Sequence, residues 1–255
     1  MKKIIFKRLK RIPRKVLFMS KYFLFQHRKT TAKLKSYGLS DIRVFQIRQW
    51  VKHIEINFLR YNYKARFGGK YCFVKLASDV SLKNEIYVNK HLQRCGIDFI
   101  PKYLMSDESY DGETSMLITD FLSDLRTFEL PKNEKHFESI CEEFISLHSR
   151  FLRFKIIHGD INKANMLLNH KNHIILIDFG MGRVPGSHIY ENEMKKHFGT
   201  YYTVSGDTRI YDDAYSFIKT LEECGIPPVY KRLECYEKIV RLVGTHTLNL
   251  KETAN

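Results

Sequence analysis

Between Ile156 and Gly180 the chain reads "IIHGDINKANMLLNHKNHIILIDFG". A polar loop is bracketed by short apolar runs, and a second polar turn separates "MLL" from "IILI". Apolar runs this short, set off by Asn, His and Gly, read as buried strands joined by tight turns. The loop is therefore held at both ends, and it carries His158, Asp160 and Asn165 in order; Asp178 follows the last run and precedes a glycine by two positions. Turn capping explains any one of these residues. It must be invoked several times, in matching order, to explain them all.

The same set suits phosphoryl transfer, a reaction that needs positioning and charge neutralisation more than covalent help. Asp160 can orient an attacking hydroxyl and accept its proton. Asn165 offers a neutral oxygen to Mg²⁺, and Asp178 a carboxylate that bridges the metal to nucleotide phosphates. Hard oxygen donors of this kind favour Mg²⁺ over zinc. The five cysteines, Cys72, Cys95, Cys141, Cys224 and Cys235, are scattered and lack CxxC spacing. They read as reduced thiols of a cytoplasmic protein without a zinc site.

Upstream, residues 41–76 read as strands closed by a hairpin at Gly68-Gly69. "SDVSLKNEIYVNKHLQRCG" reads as a helix capped by Ser78 or Asp79 and stopped at Gly96. Two further strands flank Asp111-Gly112. From about residue 123 the pattern changes: "NEKHFESICEEFISLHSRF" repeats apolar residues at helical spacing, and the tail from Asp212 reads as helices. The class expected is α+β, strands with one main helix followed by mostly helices.

"HGDINKAN" resembles the catalytic loop of the protein kinase-like superfamily, and "IDFG" its metal-binding motif. The resemblance covers roughly residues 45–220. It implies a two-lobed fold, with an antiparallel-sheet N-lobe and hinge over residues 41–122 and a mostly helical C-lobe over residues 123–255. It implies ATP and Mg²⁺ as cofactors. "CFVKL" is similar to the family's VAIK strand, which makes Lys75 the phosphate-holding lysine. Glu85 is the only glutamate between residues 76 and 107 and is its implied helix partner. "MLITDFL" is similar to the hinge, so the backbone at Asp120, Phe121 and Leu122 would meet adenine. Lys163 stands one position past the family's catalytic-loop lysine and is a candidate contact for the transferring phosphate. "HFGTYYTVSGDTRIYDDAYSFI" is similar to the segment that supplies an anchor beneath the catalytic loop, here Asp213.

Departures narrow the branch. No GxGxxG precedes Lys75, and "LRYNYKARF", expected as the phosphate-covering turn, lacks glycine. Gly159 replaces the arginine of HRD, which removes the usual partner of a phosphorylated loop, so no activation by loop phosphorylation is expected. These features resemble the atypical branch, which includes bacterial lipopolysaccharide-core sugar kinases and the small kinases that accompany tRNA modification.

Charge suggests the acceptor. Residues 1–40 hold 13 of the 43 Lys and Arg and none of the 28 Asp and Glu, interleaved with bulky apolar residues such as Phe18, Tyr22 and Phe23. A basic-aromatic arm of this kind suits an anionic membrane surface. No run spans a bilayer, and no nucleic-acid recognition motif accompanies the charge. The first expectation is therefore an ATP-dependent kinase acting on a lipopolysaccharide-type sugar or glycolipid, peripheral at the cytoplasmic membrane face. An atypical protein Ser/Thr kinase and a membrane-recruited pseudokinase scaffold are the alternatives.

Overall fold

The structure, a computed structural model, describes residues 27–45, 60–112, 114–187, 200–206 and 208–251. They divide into two compact units, residues 1–78 and 79–255.

In the first unit, helix α1 (His27–Ser36) precedes an antiparallel meander of β1 (Leu39–Phe45), β2 (Arg60–Phe67) and β3 (Lys70–Ala77). Period-two alternation explains the meander. Tyr61, Tyr63 and Ala65 on β2, with Cys72, Val74 and Leu76 on β3, are buried and share one face through the pairs Tyr63↔Val74 and Ala65↔Cys72. The Gly68-Gly69 hairpin falls where the sequence puts it, and both glycines take positive φ. Helix α1 lies within the basic N-terminal stretch yet buries Thr30 and Leu34, and His27 stacks on Tyr63 at 6.1 Å. One expectation is corrected. "LRYNYKARF" is not a turn, because Arg60–Phe67 is a fully paired strand. A phosphate-covering segment between the first two strands would fall in residues 46–59, outside the described residues, as do residues 1–26 of the basic-aromatic stretch.

The second unit opens with α2 (Val80–Arg94). Asp79 caps it, its carboxylate accepting from Leu82 N–H at 3.1 Å, and Gly96 at φ +65° follows its end. A hairpin of β4 (Tyr103–Asp111) and β5 (Thr114–Asp120) leads to β6 (Arg126–Thr127). Helix α3 (Glu134–Phe154) carries the core. Phe137, Ile140, Cys141, Phe144, Leu147, His148 and Phe151 fall on one face and are all buried. Asn133 caps its start, and Lys155 ends it in the left-handed region. Strands β7 (Met166–Leu168) and β8 (Ile174–Leu176) form the predicted short pair, joined by β6 into a small sheet. Helices α4 (Asp213–Glu223) and α5 (Glu234–Leu242) complete the core, where Phe144 and Phe217 stack at 3.9 Å. Burying each of these rings stabilises the fold by about 1.5–3 kcal/mol.

The class is the expected one: antiparallel strands with one main helix, then a mostly helical region, as in kinase-like folds. The tail is less purely helical than its pattern suggests. Strands β9 (Thr203–Ser205), β10 (Thr208–Asp212) and β11 (Thr247–Lys251) make a three-stranded antiparallel sheet. β10 and β11 are far apart in sequence, so no local period reveals their pairing. No helix among the described residues is long and apolar enough to cross a membrane.

His148 is fully buried on α3, and among the described residues neither ring nitrogen has a hydrogen-bond partner. Burial lowers its pKa; Asp212 opposes this and His246, edge-on at 6.2 Å, adds to it. A folded-state value below the unfolded one means that the unfolded chain binds the extra proton, so this stability is lost as pH falls through about 6.5. His148→Phe is therefore expected to raise the urea midpoint more at pH 5.5 than at pH 8. An equal shift at both would show that His148 does not titrate on unfolding.

Candidate active site

The polar loop is built on buried anchors. The Asp213 carboxylate, at the start of α4, accepts the backbone N–H of His158 at 2.9 Å and of Gly159 at 3.4 Å. The Tyr211 hydroxyl bonds the same carboxylate and accepts Ile161 N–H at 2.7 Å. Burial pushes the Asp213 carboxyl up to about 7, against the pull of those donors. The His158 ring is buried, and desolvation lowers its pKa. Its Nδ1 accepts Asp160 N–H at 3.2 Å, so Nε2 carries the proton and donates to the Ile177 carbonyl at 3.1 Å. One imidazole thus ties the loop to the residue before Asp178.

The loop closes on itself through asparagines. Asn162 Oδ1 accepts from Ala164 N–H at 2.8 Å and Asn165 N–H at 3.3 Å, as an Asx turn does. Asn165 Nδ2 donates to the Asp160 carbonyl at 3.0 Å and to Asp160 Oδ2 at 2.9 Å. Those two bonds fix the amide orientation and direct Asn165 Oδ1, the atom a cation requires, away from Asp160. Asp160 Oδ1 accepts from the backbone N–H of Thr200 at 2.6 Å and from its hydroxyl at 2.9 Å. A carboxylate has about four acceptor directions, so one on Oδ2 is left for an incoming donor.

Asp178 is half-buried at φ +63°, in the left-handed region, and opens a single 3₁₀ turn over Phe179–Met181. Phe179 is buried against His158 at 4.3 Å. Asn84, fully buried on α2, donates through Nδ2 to the carbonyls of Gly180 at 3.0 Å and Gly182 at 2.9 Å. Its neighbour Glu85 is buried on the same helix. A side chain on Gly180 would crowd Asp178 Oδ1 and Ser81.

The sequence reading and the geometry can be compared residue by residue. Asp160, Asn165 and the anchor Asp213 form one bonded assembly. Asp178 lies close enough to His158 to act on its charge. Lys163 is exposed on the same loop, near enough to Cys224 to oppose the rise that burial causes in its thiol pKa. Asp120 ends β5, and with Phe121 and Leu122 it lines a cleft of about 650 Å³ together with Ile97, Lys102 and Tyr103. Asp160, Asn165 and Asp178 are not among its lining residues. Asp120 N–H bonds the Lys102 carbonyl at 2.9 Å, and burial raises its carboxyl pKa. Lys75 lies in the first unit, half-buried on β3. Thr200, Tyr211 and Asn84 escaped the sequence reading. Their contacts run to residues 40 to 98 positions away, beyond any local signal, although "IYDD" did flag the Asp213 neighbourhood.

Comparison with known proteins points to kinase-like domains. Residues 76–188 match the model of the RIO domain, less than half of the chain. Over 153 residues the chain is 29% identical to the cysteine-rich receptor-like protein kinase 25 of Arabidopsis thaliana, covering 53% of this chain and 22% of that protein. Over 140 residues it is 31% identical to a probable casein kinase I homolog of Encephalitozoon cuniculi, covering 50% of this chain and 42% of that protein. The chain thus spans less than half the length of these curated relatives. Fold and matches together support a distant, atypical protein-kinase-like domain.

Gly159 explains the loss of the HRD arginine. It sits at φ +82°, and a Cβ there would overlap the Met181 carbonyl oxygen. Gly159→Ala is expected to destabilise the fold by at least about 2 kcal/mol, combining left-handed strain with backbone displacement. Urea unfolding checks this, and a change within about 0.5 kcal/mol would contradict the close approach.

Proposed function

We propose that this chain transfers the γ-phosphate of ATP to a serine or threonine hydroxyl of a protein. The observation that carries the reading is the Asp160–Asn165–Thr200 cluster. It holds one carboxylate ready to receive an alcohol proton and aims one amide oxygen elsewhere, on a loop anchored from below by Asp213. The Thr200 hydroxyl already donates to Asp160 Oδ1, so the carboxylate binds an alcohol in the sense the reaction requires. In the transfer, Asp160 orients the acceptor hydroxyl and takes its proton as the oxygen bonds to the γ-phosphorus and ADP leaves.

The donor chemistry fits Mg²⁺. Asn165 Oδ1 and the Asp178 carboxylate are the hard oxygens that would hold it, and among the described residues neither belongs to a His/Cys cluster that would select a softer metal. Bound Mg²⁺ would neutralise phosphate charge. Lys75 and Glu85 keep the phosphate-binding roles that their motif order implies, the backbone of Asp120, Phe121 and Leu122 the adenine role, and Lys163 the transferring phosphate.

The relatives reported above carry protein-kinase names, which favours a protein acceptor over the lipopolysaccharide-type sugar expected from the charge pattern. The sugar remains the competing acceptor, and the pseudokinase scaffold the competing non-enzyme. γ-Labelled ATP offered with dephosphorylated casein and, separately, with a glycolipid extract decides among them. Label in casein is expected. Label only in glycolipid would move the acceptor to a sugar, and label in neither would contradict turnover.

An anionic membrane surface is retained as a proposed partner of residues 1–26, with peripheral localisation. Because α1 buries Leu34, the informative truncation removes residues 1–26 and spares that helix. It is expected to lose co-sedimentation with anionic liposomes at an unchanged melting temperature. Retained co-sedimentation would remove the membrane role.

Two substitutions test the chemistry. Asp160→Ala is expected to slow transfer far more than it weakens ATP binding, because its contact is with the acceptor; equal losses would make it a nucleotide or structural residue. Asp178→Asn is expected to abolish Mg²⁺-dependent turnover with the fold intact by circular dichroism. Near-native turnover with unchanged metal dependence would dismiss the metal assignment.

A further inference from the structure

The cleft at Asp120 lies wholly within the second unit. Its walls come from the end of α2, the start of β4, the end of β5 with the segment after it, and the turn between β7 and β8. Lys75, Asp160, Asn165 and Asp178 do not line it, so it stands apart from the residues assigned to phosphate transfer. It shares only the segment Asp120–Leu122 with the proposed adenine contact, which uses that segment's backbone. At about 650 Å³ the cleft has the size of a small-molecule site. Ile97, Ile100, Leu122, Leu125 and Ile175 give it apolar walls.

Three acids line the cleft, and they are not equivalent. Asp98 is already paired: its carboxylate takes Arg150 Nη1 at 2.6 Å, and Arg150 Nη2 donates to the Gly96 carbonyl at 2.8 Å. Asp124 is exposed and accepts from Ser123 Oγ at 2.8 Å. Asp120 differs from both. Its Oδ1 is shut off from solvent and has no hydrogen-bond partner. A hidden acceptor without a donor costs stability, which a donor on a ligand would return. With Asp98 paired, Asp120 and Asp124 face the exposed Lys102 and an exposed histidine, His170, so the lining charge is negative at neutral pH. Apolar walls around an unmet carboxylate oxygen suit a cation carried on an apolar body.

We propose that this cleft binds a small organic cation, an amine on an aryl or alkyl body, with Asp120 accepting from the ammonium and the isoleucine and leucine side chains covering the body. A hydrogen bond between ionised partners is roughly twice as strong as a neutral one. In a half-buried site it is also screened less than in water. Charge on the ligand should therefore decide affinity among bodies of one shape.

Amide-resolved NMR titration of the full chain with phenylbutylamine, phenylbutanol and phenylbutyrate, which share a body and differ in charge, tests this. The amine is expected to bind at least about tenfold more tightly than the alcohol, and the carboxylate more weakly than either. Shifts are expected at the amides of Ile97, Leu122 and Asn169 and not at His158 or Asn165. Saturating Mg²⁺–ATP is expected to leave the amine bound. Asp120→Asn keeps the shape without the charge and is expected to reduce the amine's affinity to that of the alcohol. Asp124→Asn, on the exposed acid, is expected to change it by less than about threefold. The proposal is overturned if the amine binds no better than the alcohol or not at all. Equal losses in the two variants would overturn it too, by reducing the binding to diffuse surface charge. So would displacement by Mg²⁺–ATP, which would make the cleft part of the nucleotide site. The wild-type ranking of the three probes decides the matter where Asp120→Asn unfolds in a thermal melt. Failure of the chain to bind nucleotide bears on the phosphotransfer reading alone.

Discussion

Asp213 accepts the backbone N–H groups of His158 and Gly159 from beneath the polar loop, and the remaining contacts of the site depend on that buried carboxylate. A loop this polar cannot be buried by apolar contact. Its amides need acceptors, and an unpaired buried amide costs about 1–3 kcal/mol. Asp213 and Tyr211 meet three of them from one side. With those amides held, His158 is seated against Phe179, Asp160 is presented to Thr200, and Asn165 turns its amide onto Asp160. The arrangement has an electrostatic cost. With its carboxyl pushed up to about 7, Asp213 releases its proton more readily from the unfolded chain, so this residue's contribution to stability falls as pH rises from the usual carboxylate range towards 7. Buried His148 acts in the opposite sense, on the acid side of its ordinary value.

A second constraint couples the loop to the segment after Asp178. The Met181 carbonyl approaches Gly159 so closely that no side chain fits, and Asn84 holds the carbonyls of Gly180 and Gly182 from α2. Position 159 therefore serves backbone packing where the superfamily pattern has a charged arginine. Through these contacts a helix, the turn at Asp178 and the polar loop share one set of backbone groups within the second unit. A shift of α2 would be felt at Asp178 through Asn84.

How much of this was legible follows from contact range. The bonds that join Asp160 and Asn165 span five residues, and motif spacing placed both residues in one loop. Helix α2 announced itself through a cap at Ser78 or Asp79, of which Asp79 serves, and α3 through apolar residues at helical spacing. Thr200, Tyr211 and Asn84 act at long range and left no local pattern. The strand at Arg60–Phe67 was misread as a phosphate-covering turn because a turn was sought immediately before the Lys75 strand, whereas β2 and β3 are a plain hairpin. The pairing of β10 with β11 was missed because it joins residues about 40 positions apart. The acceptor is a matter of surface chemistry, and a motif for the reaction carries little information about it.

The central claim is that Asp213 holds the polar loop through the His158 and Gly159 amides. Site-resolved hydrogen exchange on the wild-type chain and on Asp213→Ala, at a pH where both remain folded, measures it directly. The account predicts that these two amides exchange slowly in the wild type and become fast in the variant, while amides within α3 keep their protection. Equal protection of the His158 and Gly159 amides in both proteins would contradict it.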